Sequence, residues 1–333
     1  MTSATRTLAP RAPPSCLSTV RRPPAQERRA LHHGATLRRC AASPRAPRVD
    51  ARRCARHCAG FGGNADHWRK NTAVLAASGL RVFAIDLLGY GFSSKPAPDP
   101  ENPASLYNFG TWGEQLLDFG EHVVGAPAFL ATNSVGGIAA LSAAASAAAA
   151  AGGDATSRVR GVVLLDVSLR ELHLSKQPAL IRPLVAALQR TLRTTPLGLS
   201  FFAQVARADA VKAVLREAYG DSSAVTDELV QCILQPGLQP GAAQVFLDFI
   251  SYSSGPLAEE LLPKAGCPVL VGWGTKDPWE RIERARPLYA SAPNVERFVE
   301  LPGVGHCPQD EAPHLVNPLI AEFVHRHSSP ASD

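Results

Sequence analysis

The chain has 333 residues, of which 45% are hydrophobic, enough to bury the core of one large domain or of a domain carrying an insertion. No apolar run approaches the roughly 20 residues that a helical membrane span needs, which excludes an integral membrane protein of that kind. The formal charge of +5 is uneven. Residues 1–57 hold 13 Arg and no Lys against Glu27 and Asp50, so the remainder is net acidic. The pI of 8.9 therefore reflects the leader and gives no sign of nucleic-acid binding by the folded part.

Residues 1–57 are rich in Arg, Ala, Pro and Ser, with neither helical nor strand periodicity. An Arg- and Ser-rich, acid-poor N-terminus without an apolar h-region reads as an organelle transit peptide; a solvated tail or a wrongly assigned first exon is the alternative. Four of the seven cysteines (Cys16, Cys40, Cys54, Cys58) sit in or beside this leader. Cys232, Cys267 and Cys307 remain, an odd and widely spaced set, so a reducing compartment is expected rather than a disulfide framework. Cys54, His57 and Cys58 have no second ligand pair at zinc-site spacing, and no metal is expected.

From Gly60 onward strand and helix signals alternate. Leu80–Asp86 (LRVFAID) is predicted as a strand ending at the Gly89-Tyr90-Gly91 turn, and Tyr107–Val124 as a helix. Ala126–Asn133 is a strand running into Ser134. Ile138–Ala151 has ten Ala in fourteen residues, a strong helix former stopped at Gly152-Gly153. Val159–Val167, Cys267–Trp273 and Arg297–Leu301 are further strands. This alternation predicts a mostly parallel α/β sheet. Between Ser168 and Pro263 the rhythm changes to helical spacing: Leu180, Ile181, Leu184, Val185, Leu188 and Leu192 share a face, as do Val245, Phe246, Phe249 and Ile250. That stretch reads as an inserted helical cap. The expected organisation is a leader over 1–57, sheet domain over 58–168 and 263–333, and cap over 169–262.

The chemistry concentrates at three strand ends. In FLATNSVGG (129–137) an apolar strand delivers Ser134 into a sharp turn before a helix, which lifts a hydroxyl clear of the sheet edge. The Val135 amide and helix N-terminus are then aimed at a carbonyl under attack. Thr132 replaces the usual first glycine of this pattern, and the alternative is a serine that only caps the helix. VLVGWGTKDPWE (269–280) ends a strand at Asp277, and FVELPGVGHCP (298–308) ends one at His306. Nucleophile, acid, histidine is the chain order of serine hydrolases built on such a sheet. His306 would take the serine proton and Asp277 would orient the imidazole, with Asp166, after VVLL, as the alternative acid.

These segments carry a family resemblance. Gly60-Phe61-Gly62 with HW at 67–68, IDLLGYGFSSKP at 85–96, NSVGG at 133–137, GTKDPWE at 274–280 and GHCPQDEAPHLVNPL at 305–319 resemble plant and algal α/β-hydrolases, the plastid set related to pheophytinase and chlorophyll dephytylase. Within the cap, KQP at 176–178, SSAVTDELV at 222–230, LQPGLQPGA at 234–242 and LDFISYSSGPL at 247–257 are similar to one plant branch of that set. The resemblance implies Ser134 as nucleophile, Asp277 as acid, His306 as base, and the amides of Val135 and Phe61 as the oxyanion hole. It implies hydrolysis of a small hydrophobic carboxylic ester, a chlorophyll-derived phytyl ester among the candidates, without metal or organic cofactor. It favours the chloroplast over the mitochondrion or cytoplasm, with peripheral contact with plastid membranes. Epoxide- and haloalkane-cleaving relatives of this fold place Asp where Ser134 stands.

One stretch departs from the family. Before Gly-Phe-Gly the family has a buried strand ending His-Gly, whereas RVDARRCARHCAG stands at 48–60. Arg52, Arg53 and Arg56 are not expected in the middle of a parallel sheet, so the first strands read as missing or replaced. A hydrolase-like binding protein for a hydrophobic ligand, or an inactive truncated isoform, is the alternative to an enzyme.

Overall fold

The computed structural model describes residues 37–38, 54–58, 63–99, 106–152 and 158–328. Among the described residues seven strands form one sheet: β1 (Leu37–Arg38), β2 (Cys54–Cys58), β3 (Arg81–Ile85), β4 (Ala128–Asn133), β5 (Val159–Leu165), β6 (Val269–Gly274) and β7 (Val295–Leu301). Their order is β1-β3-β2-β4-β5-β6-β7, parallel throughout except that β1 runs antiparallel to β3.

The position of β2 corrects the expectation for the arginine-bearing stretch. Its backbone pairs in parallel with β3 (Arg56 opposite Phe83) and with β4 (Arg56 opposite Leu130), so the stretch occupies the sheet instead of leaving it. Without it, the facing N–H and C=O groups of β3 and β4 would have no ladder partner in the middle of the sheet. The leader boundary expected at 57/58 thus falls inside a strand, and Cys54, His57 and Cys58 all lie on β2.

Residues alternate between two cores, as the pleat requires. From β4, Ala128 and Leu130 join the core with Val162 and Leu164 of β5 and Val269, Val271 and Trp273 of β6. Phe129, Ala131, Val163, Leu165 and Leu270 point the other way. Helices Phe109–Phe119 and Val135–Ala151 cover the first face; Arg69–Ala77 and Pro313–Ser328 cover the second. The Ala-rich helix is buried along most of its length, because methyl side chains allow an approach that larger residues would block. A Cβ on Gly137 would lie 2.7 Å from Val167 and 3.1 Å from Leu164.

Between β5 and β6 the chain is helical: Arg182–Thr194, Pro196–Val205, Ala208–Ala218, Asp227–Gly237, Ala242–Ile250 and Ala258–Leu261. Phe249 of its last long helix reaches the sheet domain, packing against Tyr90, Phe109 and Trp112. Arg170, at the start of the insertion, donates to the carbonyls of Tyr252 (2.7 Å) and Ser254 (2.8 Å) at its end. Among the described residues no helix is long and apolar enough to cross a membrane.

Candidate active site

The parallel strands put the carboxyl ends of β4, β6 and β7 along one edge, and the loops there carry Ser134, Asp277 and His306. Ser134 joins β4 directly to the helix beginning at Val135, and this junction holds it at φ 55°, ψ −131°. A non-glycine residue in that region costs roughly 1–3 kcal/mol, and its surroundings hold it there. Its N–H donates to Leu165 O and its carbonyl accepts from Gly137 N, both at 3.0 Å. The Val135 N–H is the first of the helix, one of those the helical ladder leaves unpaired. Thr132 is fully buried and its hydroxyl donates to Val163 O at 3.0 Å, so the residue in the usual glycine place is satisfied within the sheet. Phe61 lies outside the described residues.

His306 is buried, and its Nδ1 lies 2.7 Å from Asp277 Oδ2. Since a carboxylate can only accept, Nδ1 carries the proton in the neutral ring and Nε2 keeps its lone pair. Asp277 Oδ1 accepts from the backbone N–H of Trp279 (2.9 Å) and Glu280 (3.0 Å), which directs Oδ2 at the imidazole. The Trp279 ring lies 4.9 Å from the His306 ring, centroid to centroid.

Asp166 is placed differently. It is fully buried, with φ 43°, and its Oδ1 accepts from Gly274 N at 2.9 Å. Burial, reinforced by the neighbouring Asp277 charge, pushes its carboxyl well above the usual range. His306 is bonded to Asp277 rather than to Asp166, and a carboxyl pushed up by burial is the poorer anion to set beside an imidazolium. Glu280, accepting from Ser168 Oγ (2.8 Å) and Leu169 N (2.9 Å), is pushed up to about 7, chiefly by burial.

Several groups at the site have no counterpart in the sequence reading. Asn133 Nδ2 donates to the carbonyl of His306 at 2.8 Å and to Leu165 O at 3.2 Å, tying the serine turn to the histidine loop. An amide side chain in an otherwise apolar strand was the available signal. The helical insertion also touches His306 directly: the His306 N–H donates to Ala218 O at 2.8 Å. Glu311 clamps the two segments, its Oε2 accepting from Gly305 N (2.8 Å) and Gly220 N (3.2 Å) and its Oε1 from Asp221 N (2.9 Å). A Cβ on Gly305 would sit 2.3 Å from Ala218 O and 2.4 Å from Gly220 N. No sequence pattern announces such main-chain contacts.

A buried polar network lies alongside. Asp310, fully buried, accepts from Arg69 Nη1 (2.6 Å) and from the Tyr219 hydroxyl (3.0 Å). Because that hydroxyl has one proton and gives it to Asp310, His67 Nε2, 3.1 Å away, is its donor. Burial lowers the His67 pKa to about 4, against the opposing pull of Asp310. Lys95 donates to Gly91 O (2.7 Å) and Ser93 O (3.1 Å). Among the described residues no group of three or more His, Cys, Asp or Glu is arranged to hold a metal ion.

A parallel sheet flanked by helices, with a serine on a strained strand-to-helix turn and a bonded aspartate–histidine pair, defines a fold class that comparison supports. Residues 57–319 match the alpha/beta hydrolase family, and the chain belongs to that family. It is 26% identical over 299 residues to chloroplastic pheophytinase of Arabidopsis thaliana, covering 80% of this chain; the match spans 60% of the length of that protein. Among solved structures it resembles an esterase from Thermogutta terrifontis (TM-score 0.60, 20% identity, 83% of this chain and 90% of that one). It also resembles a putative acyltransferase from Salmonella enterica (TM-score 0.64, 19% identity, 82% and 88%).

Proposed function

We propose that this chain is a serine hydrolase that cleaves a carboxylic ester through an acyl-enzyme at Ser134. The observation that carries this reading is the 2.7 Å contact between His306 Nδ1 and Asp277 Oδ2, on loops beside a serine held at φ 55°. Ser134 Oγ attacks the ester carbonyl and passes its proton to His306 Nε2. Asp277 stabilises the imidazolium so formed, and the Trp279 ring beside it adds a cation–π contribution. The oxyanion is met by the Val135 N–H and the positive end of its helix, with the Phe61 amide as second donor. The tetrahedral intermediate collapses, and the leaving alkoxide takes the proton from Nε2. Water, deprotonated by the same nitrogen, then attacks the acyl group, and as the acid departs Nε2 returns the proton to Ser134 Oγ.

The likeness to pheophytinase supports a hydrophobic ester substrate, with a chlorophyll-derived phytyl ester as the specific candidate, and a chloroplast location. A fluorescent reporter fused to residues 1–57 is expected in plastids; a cytosolic signal would contradict the location. The deciding experiment is fluorophosphonate labelling and p-nitrophenyl ester turnover of the full chain beside Ser134→Ala. Both signals should vanish in the variant. A folded chain that neither labels nor turns over ester, yet binds hydrophobic ligands, would instead be a hydrolase-fold binding protein.

A further inference from the structure

The helix Arg182–Thr194 has no buried residue, which is unusual for a segment so rich in leucine. Its attachment uses one side only: Val185, Leu192 and Arg193 are half-buried, while Gln189 donates to Ile250 O and accepts from Ser253 Oγ. On another side Leu180, Leu184 and Leu188, spaced one turn apart, are 94%, 72% and 58% exposed, and Leu197 and Phe201 of the following helix are exposed as well. Burying such residues against the insertion would have stabilised it, so an outward apolar stripe calls for a partner.

The charge beside that stripe indicates which one. Between Glu171 and Asp209 the chain has no acidic residue but carries Lys176, Arg182, Arg190, Arg193 and Arg207. Lys176 pairs with Glu259 and Arg207 with Asp209. Arg182 and Arg190, both exposed, have no carboxylate partner among the described residues. On the helix they lie away from Leu184 and Leu188, as 3.6 residues per turn dictates. Leucines on one side and arginines on the other are the pattern of a helix lying in a lipid–water interface, its cations reaching anionic headgroups. A second copy of the chain is a poorer occupant, because a two-fold contact through this face would bring arginine clusters of the same sign together.

We propose that this face of the insertion docks on an anionic lipid surface, with Leu180, Leu184 and Leu188 entering the acyl boundary and Arg182 and Arg190 meeting the headgroups. The proposal concerns binding, not turnover, so it stands or falls independently of the role given to Ser134. The basic leader could also attract anionic vesicles, and the test therefore compares full chains with identical leaders. Flotation with phosphatidylcholine vesicles, with and without about 30% phosphatidylglycerol, should show binding that depends on phosphatidylglycerol. Leu184→Glu/Leu188→Glu should lower the bound fraction at least about tenfold, with unchanged thermal unfolding. Replacing Arg182 and Arg190 by Gln should weaken partitioning by about fivefold for each. A Leu184→Trp reporter should gain blue-shifted emission, relative to the parent, only when phosphatidylglycerol is present. Flotation of the Leu→Glu variant equal to that of the parent would overturn the proposal. So would emission from the Leu184→Trp reporter that is indifferent to vesicles, or a concentration-dependent dimer that the Leu→Glu changes dissociate.

Discussion

Two buried aspartates lie at the ends of neighbouring strands, and their hydrogen bonds differ. Asp277 receives two main-chain N–H groups on one oxygen and the imidazole on the other. Asp166 accepts from Gly274 N, and burial beside Asp277 pushes its carboxyl well above the usual range. Asp277→Asn should therefore lower kcat for an ester by about 10⁴-fold, the scale seen when a triad carboxylate loses its charge. Asp166→Asn leaves the Asp277–His306 contact in place and should cost less than about tenfold. Steady-state rates on one p-nitrophenyl ester rank the two, and the reverse order would move the acid to Asp166. Both were legible in the sequence as strand-end acids; the choice between them needed the distances.

At the scale of elements, the helical insertion is both closed on itself and seated on the sheet domain. Arg170 joins the start of the insertion to its end. The segment Ala218–Asp221 lies on the His306 loop through main-chain contact and the Glu311 clamp. Swinging the insertion away as a rigid lid would remove the acceptor of the His306 N–H, so its seat and the histidine position are coupled. Glu311→Ala should lower kcat by about 10- to 100-fold, the usual effect of displacing a catalytic group by about 1 Å, with KM changing far less. Gly305→Ala, whose new methyl would press on Ala218 O, should act the same way. Equal losses in KM with kcat retained would show that the clamp serves substrate binding instead. The strands and the Ala-rich helix were readable from periodicity alone. The clamp was not, since it joins residues some 90 positions apart through backbone groups that every residue has.

For the molecule as a whole, pH dependence reports the buried network of His67, Tyr219, Asp310 and Arg69. The folded His67 pKa of about 4 lies below its ordinary 6.5, so the unfolded chain binds the proton more readily. Stability is then unaffected by this group above pH 6.5 and falls as pH drops from about 6.5 to about 4. The full loss is about 3 kcal/mol, taking 1.36 kcal/mol for each pH unit. Glu280, pushed up to about 7, acts in the opposite direction, withdrawing stability as pH rises from its unfolded value through 7. Thermal unfolding followed from pH 4 to 8 should show a maximum between these limits, and His67→Gln should flatten its acid side. An unchanged acid limb in the variant would mean that His67 is accessible to protons in the folded state.

The amino-acid sequence by itself determined the class of fold, because parallel strands buried on both faces and amphipathic helices leave periodic signatures within a few residues. It also marked Ser134, Asp277 and His306 as residues at strand ends, because turn chemistry is local. Three matters were decided only by the tertiary structure. The stretch Cys54–Cys58 lies in the sheet despite its arginine, since the pairing demand of β3 and β4 is a property of its neighbours. The leucines of Arg182–Thr194 share a helical face by spacing, yet spacing cannot say whether that face meets protein or faces outward. Asn133, Ala218 and Glu311 reach the histidine loop only because distant segments are packed together. Periodicity is written residue by residue, whereas burial, charge state and main-chain contact belong to whatever the fold brings alongside.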